Sequence, residues 1–227
     1  MHNALGYWYN KSRMQYDYRR GAKKQKGRKW LVLPFVGLLG GLYLLVLVFA
    51  PALPFSTSPP DVTAKKLVVS EPVIGENRVY VPKINVDVPI APIGKSEALA
   101  LEKGAVNRAS GNGNPRDGGN YVLAAHRFNL GLTPEQTRAK SPFYHVNKLV
   151  AGDQIYVDYS GVRYAYEVKE RKSVAPTALE IEERTPEDIL TMYTCELSGP
   201  AAGREVVIAK PIGKVVWTNG SPKLKTL

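Results

Sequence analysis

The sequence predicts an all-β domain behind one N-terminal membrane-spanning helix, and three observations predict it. An uncharged apolar run, Trp30 to Ala50, stands near the start. A proline- and serine-rich stretch follows it. Beyond about residue 73, short alternating or apolar segments recur between turn residues, with little helical periodicity. Many short strands at regular spacing argue for a sandwich or barrel.

The elements follow in order. The arm, residues 1–29, holds nine cations, Lys11, Arg13, Arg19, Arg20, Lys23, Lys24, Lys26, Arg28 and Lys29, against Asp17 alone. The whole chain is at +11, with 31 basic and 20 acidic residues, so most of the excess belongs to this arm. A nucleic-acid partner loses its main support. Aromatic residues interleave the arm (Tyr7, Trp8, Tyr9, Tyr16, Tyr18), which suits anionic lipid headgroups as well as a disordered tail. The run 30–50 is long enough to cross roughly 30 Å of hydrocarbon as a helix. Pro34 is expected in its first turn and Trp30 at the interface. The cationic flank places the N-terminus in the cytoplasm and the rest outside. A cleaved signal peptide with Ala50-Pro51-Ala52 as its site is the alternative, but both the apolar and basic regions are long for one. Residues 51–72 read as an extended linker.

In the region 73–215, "RVYVPKINVDVPI" alternates around Pro82 and Pro89, and "GNGNPRDGG" at 111–119 is a loop by composition. "NYVLAAH" is a strand ending at His126. "FNLGLTPEQTRAKSPFYHVNKL" carries a helical turn or two. A hairpin turns around Tyr159-Ser160-Gly161. "TALEIEERTPED" is a polar loop or short helix, and "ILTMYTC" and "REVVIAKPI" are strands. Residues 216–227 read as a C-terminal tail.

Cys195 is the single cysteine, so no internal disulfide exists. It ends one strand, Arg204 begins another, and His126 ends a third. Strand ends on one rim of a barrel converge. A thiol with an imidazole to manage its proton and a guanidinium to meet an oxyanion is a minimal set for acyl transfer. A buried structural thiol is the competing reading of Cys195, a solvated strand-edge charge that of Arg204, and His145 the competing base. Arg127, next to His126, is expected on the opposite face of the strand, in a structural role. One cysteine and two outward histidines supply no zinc ligand cluster.

"TMYTC" with "GR" at 203–204, and "NYVLAAHR" upstream, resembles the signature of the sortase family, Thr-Leu-x-Thr-Cys with a nearby arginine and an earlier histidine. The resemblance spans about residues 73–213. Met192 replaces the usual leucine and Ala125 a common glycine. It implies a closed β-barrel of about eight strands with short helices. It also implies a membrane-anchored cysteine transpeptidase with Cys195 as nucleophile, His126 as general acid/base, and Arg204 as stabiliser of substrate and oxyanion. Thr194 is implied as support for the oxyanion pocket. The implied partners are surface proteins with a C-terminal LPxTG-like sorting signal, an amine from peptidoglycan precursor or pilin, and membrane lipid. No cofactor is expected. Some sortases bind calcium near the acidic loop, where Glu180, Glu182, Glu183, Glu187 and Asp188 lie, but the spacing is that of a solvated face. The same three residues also suit a thiol hydrolase, and a tethered binding module with an incidental cysteine is the reading from another class.

Overall fold

The strand pairings close a ring. A computed structural model describes residues 29–53, 70–93 and 96–227. The arm and most of the linker lie outside the described residues. The described residues form ten strands: β1 (Arg78–Val81), β2 (Val86–Ala91), β3 (Ala105–Asn107), β4 (Gly113–Asn114), β5 (Gly118–Ala124), β6 (Gln154–Tyr159), β7 (Val162–Val174), β8 (Ile189–Glu196), β9 (Gly199–Thr218) and β10 (Ser221–Thr226). Hydrogen-bonded neighbours run β9-β7-β6-β1-β2-β3-β5-β8 and return to β9. Eight strands therefore form a closed barrel, with β4 and β10 outside the ring. Closure leaves these eight without open edges.

Two neighbouring pairs are parallel, β2 with β3 and β5 with β8. Parallel neighbours need a crossover. Helix α2 (Glu97–Leu101), capped by Ser96 Oγ accepting from Leu99 N–H, lies in the first. Helix α3 (Pro134–Ala139), capped by Thr133, lies in the second together with β6 and β7. Pro82 opens a 3₁₀ turn, Pro82–Ile84, rather than breaking a strand, and left-handed Asn85 (φ 53°) releases the chain into β2. Residues 216–227 continue the sheet, as the end of β9 and as β10, whose Pro222 and lysines hide no apolar periodicity to read.

The barrel interior is apolar. Val79, Leu123, Leu190, Met192, Val207 and Ala209 meet in one cluster of buried side chains. A second, smaller cluster includes Val106, Val122, Ala124, Tyr193 and Val206. Alternate residues of β5, β8 and β9 divide between the two, as strand geometry requires.

One buried ion pair of this barrel is Asp158 with Arg163, on the facing strands β6 and β7. The guanidinium donates through Nε and Nη2 to the two carboxylate oxygens at 2.6 and 2.7 Å. Tyr80 donates its hydroxyl to Asp158 at 3.0 Å. The Arg163 cation lies 4.5 Å from the Tyr80 ring centroid and 5.3 Å from that of Trp217. Burial, then the Asp158 carboxylate, push the Tyr80 phenol up to about 12.

The chain divides into two compact units after Leu42. Helix α1 (Lys29–Phe49) starts in the first and ends in the second. Its residues Val32–Phe49 are long and apolar enough to cross a membrane. Because the helix begins at Lys29, Pro34 falls beyond the first turn and leaves a carbonyl there without its intrahelical donor.

Removing one member of a fully buried ion pair strands the other charge. Asp158→Ala is expected to lower the unfolding free energy by about 3–5 kcal/mol, read by denaturant unfolding of the detergent-solubilised chain. The raised Tyr80 phenol gives stability that is complete below its unfolded value near 10 and declines as pH rises toward 12. Stability should fall across that window, and less steeply in Tyr80→Phe.

Candidate active site

Strand β8 is the middle strand of the site. It pairs antiparallel with β9, where Cys195 and Arg204 are direct partners, so both side chains leave the same face of the sheet. On its other side it runs parallel to β5, with Ala124 beside Tyr193. The pairing continues past the end of β5: Ala125 N–H donates to Tyr193 O at 3.3 Å. Thr194 Oγ1 donates to Ala125 O at 2.7 Å. This alignment brings His126 level with Cys195, on neighbouring chains spaced roughly 4.8 Å apart. Cys195 and Arg204 are thus cross-strand partners, and the chain leaving β5 toward His126 runs beside them.

The same register is held at the opposite end. Asp188, just before β8, accepts from Gly119 N–H at 2.8 Å. Gly118 has φ +80°, and a Cβ there would sit 2.2 Å from the Asp188 carboxylate. Only glycine gives this approach, which explains the paired glycines of "RDGGN". Asn120, 1% exposed, donates through Nδ2 to Ile181 O and Glu183 O and pins the acidic segment to β5.

Cys195 is a free thiol, half-buried at the strand end. The ladder slips just after it, between Cys195 and Glu196, and the loop to β9 begins. Arg204 donates through Nη1 to Pro200 O at 2.6 Å and Gly203 O at 3.0 Å. Among the described residues its Nε and Nη2 have no partner, which leaves that edge of the guanidinium for a ligand. Gly203 has φ +148°, and a Cβ there would lie 2.7 Å from Val174 O. Thr194 is 2% exposed, and its one proton is directed at Ala125 O, between the cysteine and histidine strands.

His126 is half-buried. Its Nε2 lies 4.0 Å from Glu102 Oε1. Glu102 also meets Lys140 Nζ at 2.7 Å and Asn129 Nδ2 at 2.5 Å. The Lys140 contact above all, then Asn129 and His126, hold its carboxyl below the usual range. Nothing in the sequence marks Glu102 as a neighbour of His126. His145, the competing base, stacks edge-on to Tyr144 at 5.0 Å. It is held low by burial and then by Lys148. Arg127 turns the opposite way from His126, as alternation requires. It is 4% exposed and its Nη1 is 3.9 Å from Glu205 Oε2.

The acidic segment is spent on structure. Glu182 accepts from the Tyr193 hydroxyl and from Arg108 Nε at 3.3 Å. Glu180, Glu183 and Glu187 are exposed. Among the described residues no three His, Cys, Asp or Glu side chains gather as a metal site.

The class that fold and rim define is a closed mixed β-barrel carrying a thiol at the end of a central strand. Residues 79–212 match the family model of the Sortase domain, and the chain belongs to that family. A curated relative, Sortase SrtE1 of Streptomyces coelicolor, is 26% identical over 166 residues, covering 67% of this chain and 44% of the relative. The chain therefore spans less than half the length of that relative. Sortase A of Listeria monocytogenes has the same fold, with TM-score 0.52 at 23% identity, over 66% of this chain and 90% of that one. Streptococcus agalactiae sortase C1, solved with MTSET, aligns over 81% of this chain and 91% of its own, at 27% identity and TM-score 0.52.

Thr194→Val keeps the shape and leaves Ala125 O without its donor. The expected cost is about 1–3 kcal/mol, visible as a lower midpoint in thermal unfolding.

Proposed function

We propose that this chain is a membrane-anchored cysteine transpeptidase with Cys195 as nucleophile, His126 as general acid/base and Arg204 as the oxyanion and substrate donor. The observation that supports it best is the direct cross-strand pairing of Cys195 with Arg204, on a strand whose other neighbour leads into His126.

The chemistry divides into two acyl transfers. The Cys195 thiol gives its proton to His126, and the sulfur attacks a backbone carbonyl in the sorting signal of a surface protein. Negative charge develops on the carbonyl oxygen, where the open edge of the Arg204 guanidinium donates to it. The C–N bond breaks, His126 supplies the proton that the departing amine takes, and a thioester remains. An incoming amine, from peptidoglycan precursor or pilin, gives a proton to His126 and attacks the thioester. A new amide forms and the thiol returns. Arg204 is held by two carbonyls from the start of its own strand, so its placement costs little at the moment of reaction. Thr194 supports the oxyanion pocket by tying the two strands together rather than by a free hydroxyl.

Helix α1 supplies the anchor. Its N-terminal side is cytoplasmic, because the cations of residues 1–29 favour that side, and the barrel stands outside. Nucleophile and substrate then share the outer membrane face, which raises their effective concentration.

The test is mass spectrometry of the full chain mixed with candidate LPxTG-like peptides, with and without an added amine. A thioester on Cys195 and an amide product are expected. Cys195→Ala removes both. Arg204→Lys keeps the charge, loses the planar fork, and lowers kcat/KM by about 10²-fold or more. Chelator should leave the rate unchanged. Free acid as the sole product at high amine means a hydrolase, and full activity in Cys195→Ala means an incidental thiol.

A further inference from the structure

The segment between His126 and α3 carries three exposed apolar side chains at alternate positions, Phe128 at 38%, Leu130 at 47% and Leu132 at 81%. The exposure is built into the backbone. Asn129 N–H donates to Ser141 Oγ at 2.9 Å, and Gly131 N–H to Thr137 Oγ1 at 3.0 Å. Leu132 N–H donates to Gln136 Oε1 at 3.0 Å. Gly131 is buried, and a Cβ there would lie 2.5 Å from Gln136 Cβ. With the intervening residues pinned inward, the apolar ones project outward.

This segment is also tied to the last turns of α1, which belong to the same compact unit as the barrel. Tyr43 donates its hydroxyl to Leu132 O at 2.7 Å. Arg138, on α3, donates to Ala50 O at 3.2 Å. Leu47 and Ala50 are buried at 4% and 0%, while Val46, Val48 and Phe49 are exposed. The apolar span ends at Phe49. Tyr43 precedes Phe49 by six helical positions, roughly 9 Å along the axis, and helical side chains lean further toward the N-terminus. A carbonyl held at the Tyr43 hydroxyl therefore lies below the end of the span, at the depth where interfacial apolar side chains sit, about 5–10 Å into the headgroup and acyl boundary.

We propose that Phe128, Leu130 and Leu132 form a second membrane contact, inserted into the interfacial layer of the bilayer beside the last turns of α1. The partner is a lipid surface. The contact fixes the height of the barrel above the bilayer, and it holds the His126 side of the rim, two residues from Phe128, close to the lipid. The inference rests on α1 crossing the membrane.

Nitroxide labels test it in the full chain, reconstituted in phosphatidylethanolamine and phosphatidylglycerol vesicles. Cys195→Ala removes the native thiol, and single cysteines replace Phe128, Leu130, Leu132, Val216 on β9, and Leu39 within α1. Collision with oxygen relative to a water-soluble nickel chelate reads the depth of each label. At 132 this ratio should exceed that at 216 on the order of tenfold, as it does at 39, with 128 and 130 between. Aqueous behaviour at 132 with lipid behaviour at 39 overturns the second contact while the anchor stands. Aqueous behaviour at 39 overturns the anchor and the contact with it.

Discussion

The register of β8 between β5 and β9 is the constraint on which the rest depends. A one-residue slip would turn Met192 and Leu190 out of the core and Cys195 into it. The chain fixes this register twice. Asp188 grips Gly119 at the start of the strands, and Thr194 grips Ala125 at their end. Between these clamps the parallel ladder runs from Asn120 beside Ile189 to Ala124 beside Tyr193. The ring closes through this ladder, so the same bonds that complete the barrel also set Cys195 opposite Arg204 and lead the neighbouring chain toward His126.

Polar groups at both ends of these strands serve placement more than exposure. Asn120 spends its amide on two backbone carbonyls of the acidic segment. Glu182 is occupied by Tyr193 and Arg108. Arg204 is braced by carbonyls at the start of its own strand. Away from the rim, Asp158 and Arg163 bury a charged pair on the face of the sheet opposite the main apolar cluster, with Tyr80 satisfying the carboxylate and Trp217 covering the cation. Trp217 comes from the part of β9 beyond the Sortase-domain match, so that extension covers a buried charge as well as lengthening the sheet.

Much of this was legible in the sequence, for physical reasons. Strong alternation around Tyr156–Tyr166 and the αL-compatible Ser160-Gly161 announced the hairpin. A lone thiol after two threonines, with Gly-Arg following, announced the site. Other features were hidden. Strand β3 is three residues long and α2 five, too short for any periodicity to show. Strand β10, Ser-Pro-Lys-Leu-Lys-Thr, is exposed at nearly every position, so no buried face imposes a pattern on it. The pairing of Asp158 with Arg163 is a matter of cross-strand partnership, which residue types do not state. Glu102 reaches His126 from the end of a crossover helix, and the spacing of 24 residues carries no signal.

The central claim is that Cys195 and His126 share one site, with His145 apart from it. Imidazole resonances of the isotopically labelled full chain, followed by NMR while Cys195 is alkylated by a small neutral reagent, measure this most directly. The account predicts a clear shift of the His126 ring signals with those of His145 unmoved. Movement of His145 alone, or of neither ring, would contradict it.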